Sequence, residues 1–226
     1  MFYYSESFSK CYFVGNGYYL SGMLIVLYAI VPFFVAFEGR RPTAREIAVV
    51  AVLTALAVAA RAAFVWVPHF KPMAAIIMIA GIAAGPQTGF LVGSVAALAS
   101  NFIFGQGPWT PWQMLAFGLV GLVAGLLADA RVFPRANLSW PRRIALAVTG
   151  FVLIVGLAGP ILDTSTFFYL STAPTPELAA TVYLAGLPVN AIHGVATALT
   201  LLVVANPLLD QLDRVRVKYG LLNRSR

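Results

Sequence analysis

Seven apolar runs separated by short polar breaks make up most of the chain. They cover 18–37, 45–67, 72–84, 88–104, 111–128, 143–162 and 177–206. A helix crosses the hydrocarbon core of a bilayer with about 20 apolar residues, roughly 17–25. Six of the runs are long enough. The run 72–84 would be only about 20 Å long as a helix, so it must lean on its neighbours or end below the surface. The breaks carry helix punctuation. Thr43 and Glu46 have the spacing of a capping box, which predicts a helix start there. Pro68, Gly85-Pro86-Gln87 and Gly105-Gln106-Gly107-Pro108 close three of the runs. The first run is longer than a signal-peptide core and lacks a small-residue cleavage site, so it reads as a true span. The pattern predicts an all-α, polytopic membrane bundle of six core spans plus one N-terminal span. Residues 1–17 are expected to be an N-terminal extension, 18–206 the bundle and 207–226 a basic cytoplasmic tail.

Composition sharpens this reading. Hydrophobic residues are 60% of the 226 and charged ones 10%, leaving too little polar surface for a soluble domain of this size. The net charge of +7 would otherwise suggest nucleic acid as a partner. Its distribution argues against that: twelve of the fifteen Lys and Arg residues fall in 40–45, 131–143 and 214–226, between or after apolar runs. Basic residues collect on cytoplasmic loops. Alternation over seven spans then puts 38–45, 129–143 and the C-terminus in the cytoplasm, and the N-terminus, 68–71, 105–110 and 163–176 outside. Trp66, Trp109, Trp112 and Tyr169 lie near the expected outer interface, where amphipathic rings are favoured.

Several function classes drop out. Cys11 is the single cysteine, which excludes an internal disulfide and a thiolate metal cluster. With His69 and His193 the only histidines and eight carboxylates, mostly at helix ends, no metal site is expected. None of the three lysines, Lys10, Lys71 and Lys218, follows a glycine, so there is no phosphate loop for ATP. Asp129, Asp163 and Glu177 are expected at span ends, which leaves no row of intramembrane carboxylates to couple an ion gradient. No inverted repeat is visible, and neither a nucleophile elbow nor a His-Glu-x-x-His pair is present. An enzyme is not expected, and no cofactor is implied.

The remaining polar side chains fall on the expected outer half. Arg61 lies about 24 Å from the inner end of its run by helical rise; it either snorkels to headgroups or meets a ligand. Phe70 and Lys71 follow in the Pro-stiffened turn 68–72, an ordinary rigid hairpin or part of a gate. Asn101, Gln106, Trp109, Trp112 and Gln113 surround the 105–110 break. Aromatics with amides suit an organic ligand, and the tryptophans equally suit an interfacial belt. Asn190 and His193 share one helix face midway along the last run, as cavity floor or as a pair bonded to neighbouring helices. Ala51, Ala55, Ala59 and Ala63 form a small-residue row that permits close helix approach, either inside the bundle or by a separate subunit.

Taken in order, several blocks resemble the substrate-binding S components of energy-coupling factor (ECF) vitamin importers, over about 23–222. They are Pro32-Phe-Phe to Phe37-Glu-x-Arg-Arg-Pro-x-Ala-Arg-Glu46, Ala60-Arg61-x-x-Phe64 to Pro68-x-x-Lys71-Pro72, Gly105-Gln-Gly-Pro-Trp-Thr-Pro-Trp-Gln-Met114, Asn190-x-x-His193 and Lys218-Tyr-Gly-Leu221. The subgroup it resembles most is linked to cobalamin. The resemblance implies a vitamin ligand, a transmembrane coupling subunit and two ATPase subunits, all working in the cell membrane. It implies that Arg61, Phe70 and Lys71 gate the ligand, that Trp109, Trp112 and Gln113 contact it, and that Asn190 and His193 floor its cavity. The docking motif of the family maps to Ala51, Ala55 and Ala59. Many S components have six spans, so the 18–37 run departs from that pattern. Alternatives are an S component for another vitamin, an intramembrane enzyme using His193 and Asp163, or an assembly subunit without a ligand.

Overall fold

The computed structural model describes residues 3–39, 42–135, 137–170 and 175–219, with side chains from Leu20 onward except at 216 and 219. Among these residues the fold is helical throughout: α1 (Tyr3–Gly39), α2 (Ala44–Ala63), α3 (Met73–Ala84), α4 (Pro86–Phe104), α5 (Thr110–Asp129), α6 (Trp140–Leu153), α7 (Gly159–Leu170) and α8 (Pro176–Tyr219). A π turn, Ile154–Ala158, joins α6 to α7. Six stretches are long and apolar enough to cross a membrane: Leu20–Gly39, Ala44–Ala63, Pro86–Phe104, Thr110–Asp129, Trp140–Leu170 and Pro176–Val215. The polytopic bundle expected from the apolar runs is therefore what forms.

The capping box expected at the start of α2 is made. Thr43 N donates to Glu46 Oε2 at 2.8 Å and Glu46 N donates to Thr43 Oγ1 at 3.3 Å. Replacing Thr43 by alanine should cost about 1 kcal/mol, measurable as a lower melting temperature of the purified protein. At its other end α2 stops at Ala63, short of the residue 67 that hydropathy suggests. Lys71 explains the stop: its ammonium donates to the carbonyls of Phe64, Val65 and Val67 at 2.8, 3.5 and 3.3 Å. A cation on the last carbonyls closes a helix that would otherwise run on.

Helix α3 is about 18 Å long by its 12 residues. It leans on its neighbours as its length requires: all of it from Met73 to Ala83 is buried, against α4, α5 and α8. An all-round apolar helix is a buried helix. Beside it α4 and α5 meet backbone to backbone. A Cβ at Gly89 or Gly121 would run into the main chain of the facing helix, so glycine is what allows this approach. Helix α2 packs on α3 and α4, while α1 packs on α4, α5 and α7. The α1 contact is made by buried Val26 and Ile30 and by Phe33 stacked on Phe90, ring centroids 3.8 Å apart.

The sequence pattern ended a span at 162 and put Asp163 outside it. The helix instead continues to Leu170, with Asp163 inside. Pro160 has no N–H and its ring crowds the preceding turn; the π turn just before it absorbs that mismatch. The last helix, α8, passes through Pro188 and Pro207 and continues as helix through Tyr219. Residues 220–226 of the expected tail and 171–174 of the expected outer segment lie outside the described residues.

At the end of the bundle where α5 closes, segment 130–139 is fixed to α8. Asn206 accepts from Leu138 N at 3.1 Å and donates to Leu138 O at 2.9 Å, and Asp210 accepts from Asn137 N at 3.4 Å. Arg143 adds a bond from Nη2 to the Leu202 carbonyl. Arg135 pairs with Asp129 at 2.5 Å.

Candidate functional site

The helix ends at the opposite face of the bundle surround a pocket of about 240 Å3. Its wall comes from five helices and one turn: Arg61 of α2, His69 and Lys71 of the 64–72 turn, Met73 of α3, Gln113 and Phe117 of α5, Leu162 of α7, and Val189 and His193 of α8. Of the residues singled out by sequence, Arg61, Lys71, Gln113 and His193 therefore converge on one cavity.

Arg61 is held by neutral partners. Its Nη1 donates to Ser100 Oγ at 2.5 Å and to Asn101 Oδ1 at 3.0 Å, and the guanidinium lies 4.6 Å from the Phe104 ring centroid. Asn101, 1% exposed, is the hub. Its Nδ2 donates to Thr110 Oγ1 at 3.0 Å and to Gln113 Oε1 at 2.7 Å. One amide thus ties α2, α4 and α5 together and fixes two pocket residues, Arg61 and Gln113. Gln106 belongs to the same construction from outside: it donates to the Leu98 carbonyl at 3.1 Å and accepts from Thr110 at 3.0 Å.

The 64–72 turn brings the second cation. His69 has φ 59°, a left-handed conformation uncommon for a non-glycine residue. Three carbonyls gripped by Lys71 stabilise the turn around it. Burial, and after it the charge of Arg61, pull the Lys71 ammonium below its ordinary pKa. The His193 ring lies against Phe117 at 5.8 Å, and its Nε2 is buried without a hydrogen-bond partner.

The other candidates are placed elsewhere. Phe70 packs on Phe64 at 5.1 Å. Trp109 lies against Gly107 and is 41% exposed. Trp112 is buried 6.0 Å from Phe168 and touches Gly22 of α1, so it anchors the N-terminal helix. Asn190 donates to Asp163 Oδ2 at 2.9 Å, a bond between α7 and α8 rather than part of the pocket wall. That bond also occupies the Asp163 carboxylate, while His193 Nε2 remains without a partner. Sequence reasoning did not find Met73, Phe117, Leu162 and Val189, because apolar wall residues carry no mark that separates them from core. His69 was considered only as a metal ligand; among the described residues no group of three His, Cys, Asp or Glu could hold one.

Ala51, Ala55, Ala59 and Ala63 all lie on the exposed face of α2, while Leu53, Thr54 and Ala57 face inward. The small-residue row is therefore not used for packing inside this bundle.

Comparison with known proteins agrees with this architecture. The chain is 31% identical over 104 residues to a UPF0397 protein of Vibrio atlanticus, covering 45% of this chain and 53% of the relative. It is 26% identical over 155 residues to a UPF0397 protein of Clostridium perfringens, covering 66% and 76%. A UPF0397 protein of Lactococcus lactis subsp. cremoris is 28% identical over 154 residues, covering 66% and 77%. No solved structure matches the chain. The sequence model for the ECF-type riboflavin transporter S component matches residues 41–214, which takes in α2 through most of α8 and every residue of the pocket. The chain belongs to the ECF-type S component family, and is accordingly a transporter subunit rather than an enzyme.

Proposed function

We propose that the chain captures a small vitamin, or a vitamin precursor, from outside the cell and releases it inward after docking on an ATP-driven module of a transmembrane coupling subunit and two ATPase subunits. The observation that carries this is the pocket itself: a 240 Å3 cavity with polar groups from four elements, set among helix ends remote from the basic segments at 131–143 and 214–218. By the rule that basic loops stay inside, that end is extracytoplasmic and the C-terminus is cytoplasmic. The exposed alanine row on α2 is the docking face, reached by Ala51, Ala55 and Ala59.

Cavity size argues about the ligand. Pockets for drug-sized molecules run roughly 300–1,000 Å3, so this one, at about 240 Å3, suits a molecule at or below the small end of that range. Cobalamin, suggested by resemblance, is several times larger and would require the bundle to open. Riboflavin, named in the description of the matching family, is the first ligand to test. Calorimetric titration of the purified chain against a panel of vitamins should reveal one that binds at micromolar affinity or better. Gln113→Ala should weaken that ligand about tenfold, by about 1.4 kcal/mol, with the melting temperature nearly kept. Unchanged affinity in Gln113→Ala removes the pocket from the transport route. Failure of the chain to co-purify with its coupling and ATPase subunits removes the importer reading.

A further inference from the structure

The pocket has a charge problem that its own residues do not solve. Arg61 and Lys71 both line it, and no carboxylate does. The ion pair Arg135–Asp129 lies at the other end of the bundle. Asp163 is adjacent in sequence to the wall residue Leu162, but its carboxylate is turned to Asn190 and Gly186. The Arg61 partners Ser100 and Asn101 and the Phe104 ring are neutral, and so are the carbonyls that Lys71 grips. They orient both cations without cancelling either. Of the two, Arg61, in the last turn of α2, is the ionisable group inside a span, and such groups pair with a counter-charge or mark a ligand path; Lys71, in the exposed turn, adds a second positive charge. His193, whose Nε2 is buried with no hydrogen-bond partner, lines the same cavity. The apolar part of the wall is Met73, Phe117, Leu162 and Val189.

We propose that the ligand carries a compact anionic group, a carboxylate or a phosphate, which sits at the Arg61–Lys71 side while its uncharged body lies against Phe117 and reaches His193 with a polar atom. This rests on the reading of the cavity as the substrate site and narrows the substrate class to acids. A planar guanidinium presents its donors as a fork that fits a carboxylate or phosphate. Arg61 has used Nη1 alone in the bonds described, and the rest of the fork remains for a ligand.

The test uses acid–neutral pairs that differ in charge and little else: nicotinate and nicotinamide, pantothenate and pantothenol, biotin and its methyl ester, flavin mononucleotide and riboflavin. Each is titrated into the full chain in phosphatidylcholine nanodiscs. At least one acid should bind tenfold or more tightly than its neutral partner. Gln113→Glu then separates charge from shape, because the new carboxylate keeps the acceptor that Asn101 donates to. It should remove or reverse the tenfold preference for that acid over its neutral partner, the ratio of the two affinities being the quantity read. An anionic headgroup offers the same chemistry, so the titration is repeated in phosphatidylglycerol nanodiscs. Loss of acid binding there supports the anion site and assigns its resting occupant to lipid. Neutral partners that bind as well as the acids, or no acid bound by a chain that takes up a neutral or cationic vitamin with its module, overturn the proposal and leave the importer reading intact. Absence of any module with the acid preference present strikes the importer reading alone.

Discussion

Ala55→Leu should lower vitamin uptake severalfold or more while leaving ligand affinity unchanged. Ala55 sits in the middle of the exposed row Ala51, Ala55, Ala59 and Ala63, and it is not part of the pocket wall. Without a hydrophobic driving force between helices in lipid, association depends on close backbone approach, which small residues allow. A leucine in the row pushes the partner helix away by the thickness of an isobutyl group. Overpacking of this kind costs about 1–3 kcal/mol, and each 1.4 kcal/mol is roughly tenfold in affinity. With Ala51→Leu added the two terms fall on the same contact, and vitamin uptake in cells carrying the complete module should drop at least tenfold, together with recovery of the partner subunits on the tagged chain. Ile25→Ala serves as the control, since Ile25 is exposed on α1, on the side of α4, α5 and α7, away from that row. Normal co-purification with Ala55→Leu would show that the partner uses another face.

The expected separation follows from how the chain divides its helices. Helix α2 spends its inner face, Leu53, Thr54 and Ala57, on α3 and α4. It spends its last turn on the pocket through Arg61 and leaves its outer face exposed. Under the proposed function, docking and ligand capture would share one element without sharing residues. Such an element can transmit a tilt of the subunit to the cavity without rearrangement of the pocket wall. The extra helix α1 lies outside the stretch matched by the family model and seals the α4, α5 and α7 side through Trp112 and Phe33. It leaves the alanine face of α2 uncovered.

Much of this was legible in the sequence. Hydropathy located the spans because lipid demands a continuous apolar run, and the Thr43–Glu46 spacing located the start of α2 because a capping box is local chemistry. What the pattern missed was tertiary. Asp163 looked like a span end because the apolar run stops at 162, whereas the helix runs on to Leu170 and Asn190 donates to the carboxylate. Trp112 looked like a ligand contact because sequence cannot tell an indole aimed at a cavity from one packed against α1. Arg61, Lys71, Gln113 and His193 stood out because polar groups in lipid must find partners. Phe117 and Leu162 did not, since a pocket wall and a core are made of the same residues.

Asn101 gives the sharpest test of whether the polar residues act as one unit. In Asn101→Leu, Thr110 and Gln113 lose a donor and Arg61 loses one of two acceptors. A neutral interhelical hydrogen bond in a bilayer is worth about 0.6 kcal/mol on average and about 1.7 at most. A bond to a charged group is worth about 1.5–3 kcal/mol. The guanidinium term dominates, and the sum is on the order of 3 kcal/mol, well above the small gain from a leucine of similar volume. The purified variant should melt several degrees lower and bind the ligand about 10–100-fold more weakly, because Arg61 and Gln113 are no longer held. Asn101→Asp separates position from charge. It keeps the acceptor for Arg61, loses the donor to Gln113, and places a carboxylate on the cation. If Asn101 works only by positioning, Asp is the milder change for every ligand. If the free charge of Arg61 is what the ligand meets, Asp retains more stability than Leu yet discriminates against acids as strongly, while neutral partners are spared. An Asn101→Leu protein that melts and binds as the parent does would mean that the α2–α4–α5 tie contributes nothing to the site, and that Arg61 owes its place to the Phe104 ring and Ser100 alone.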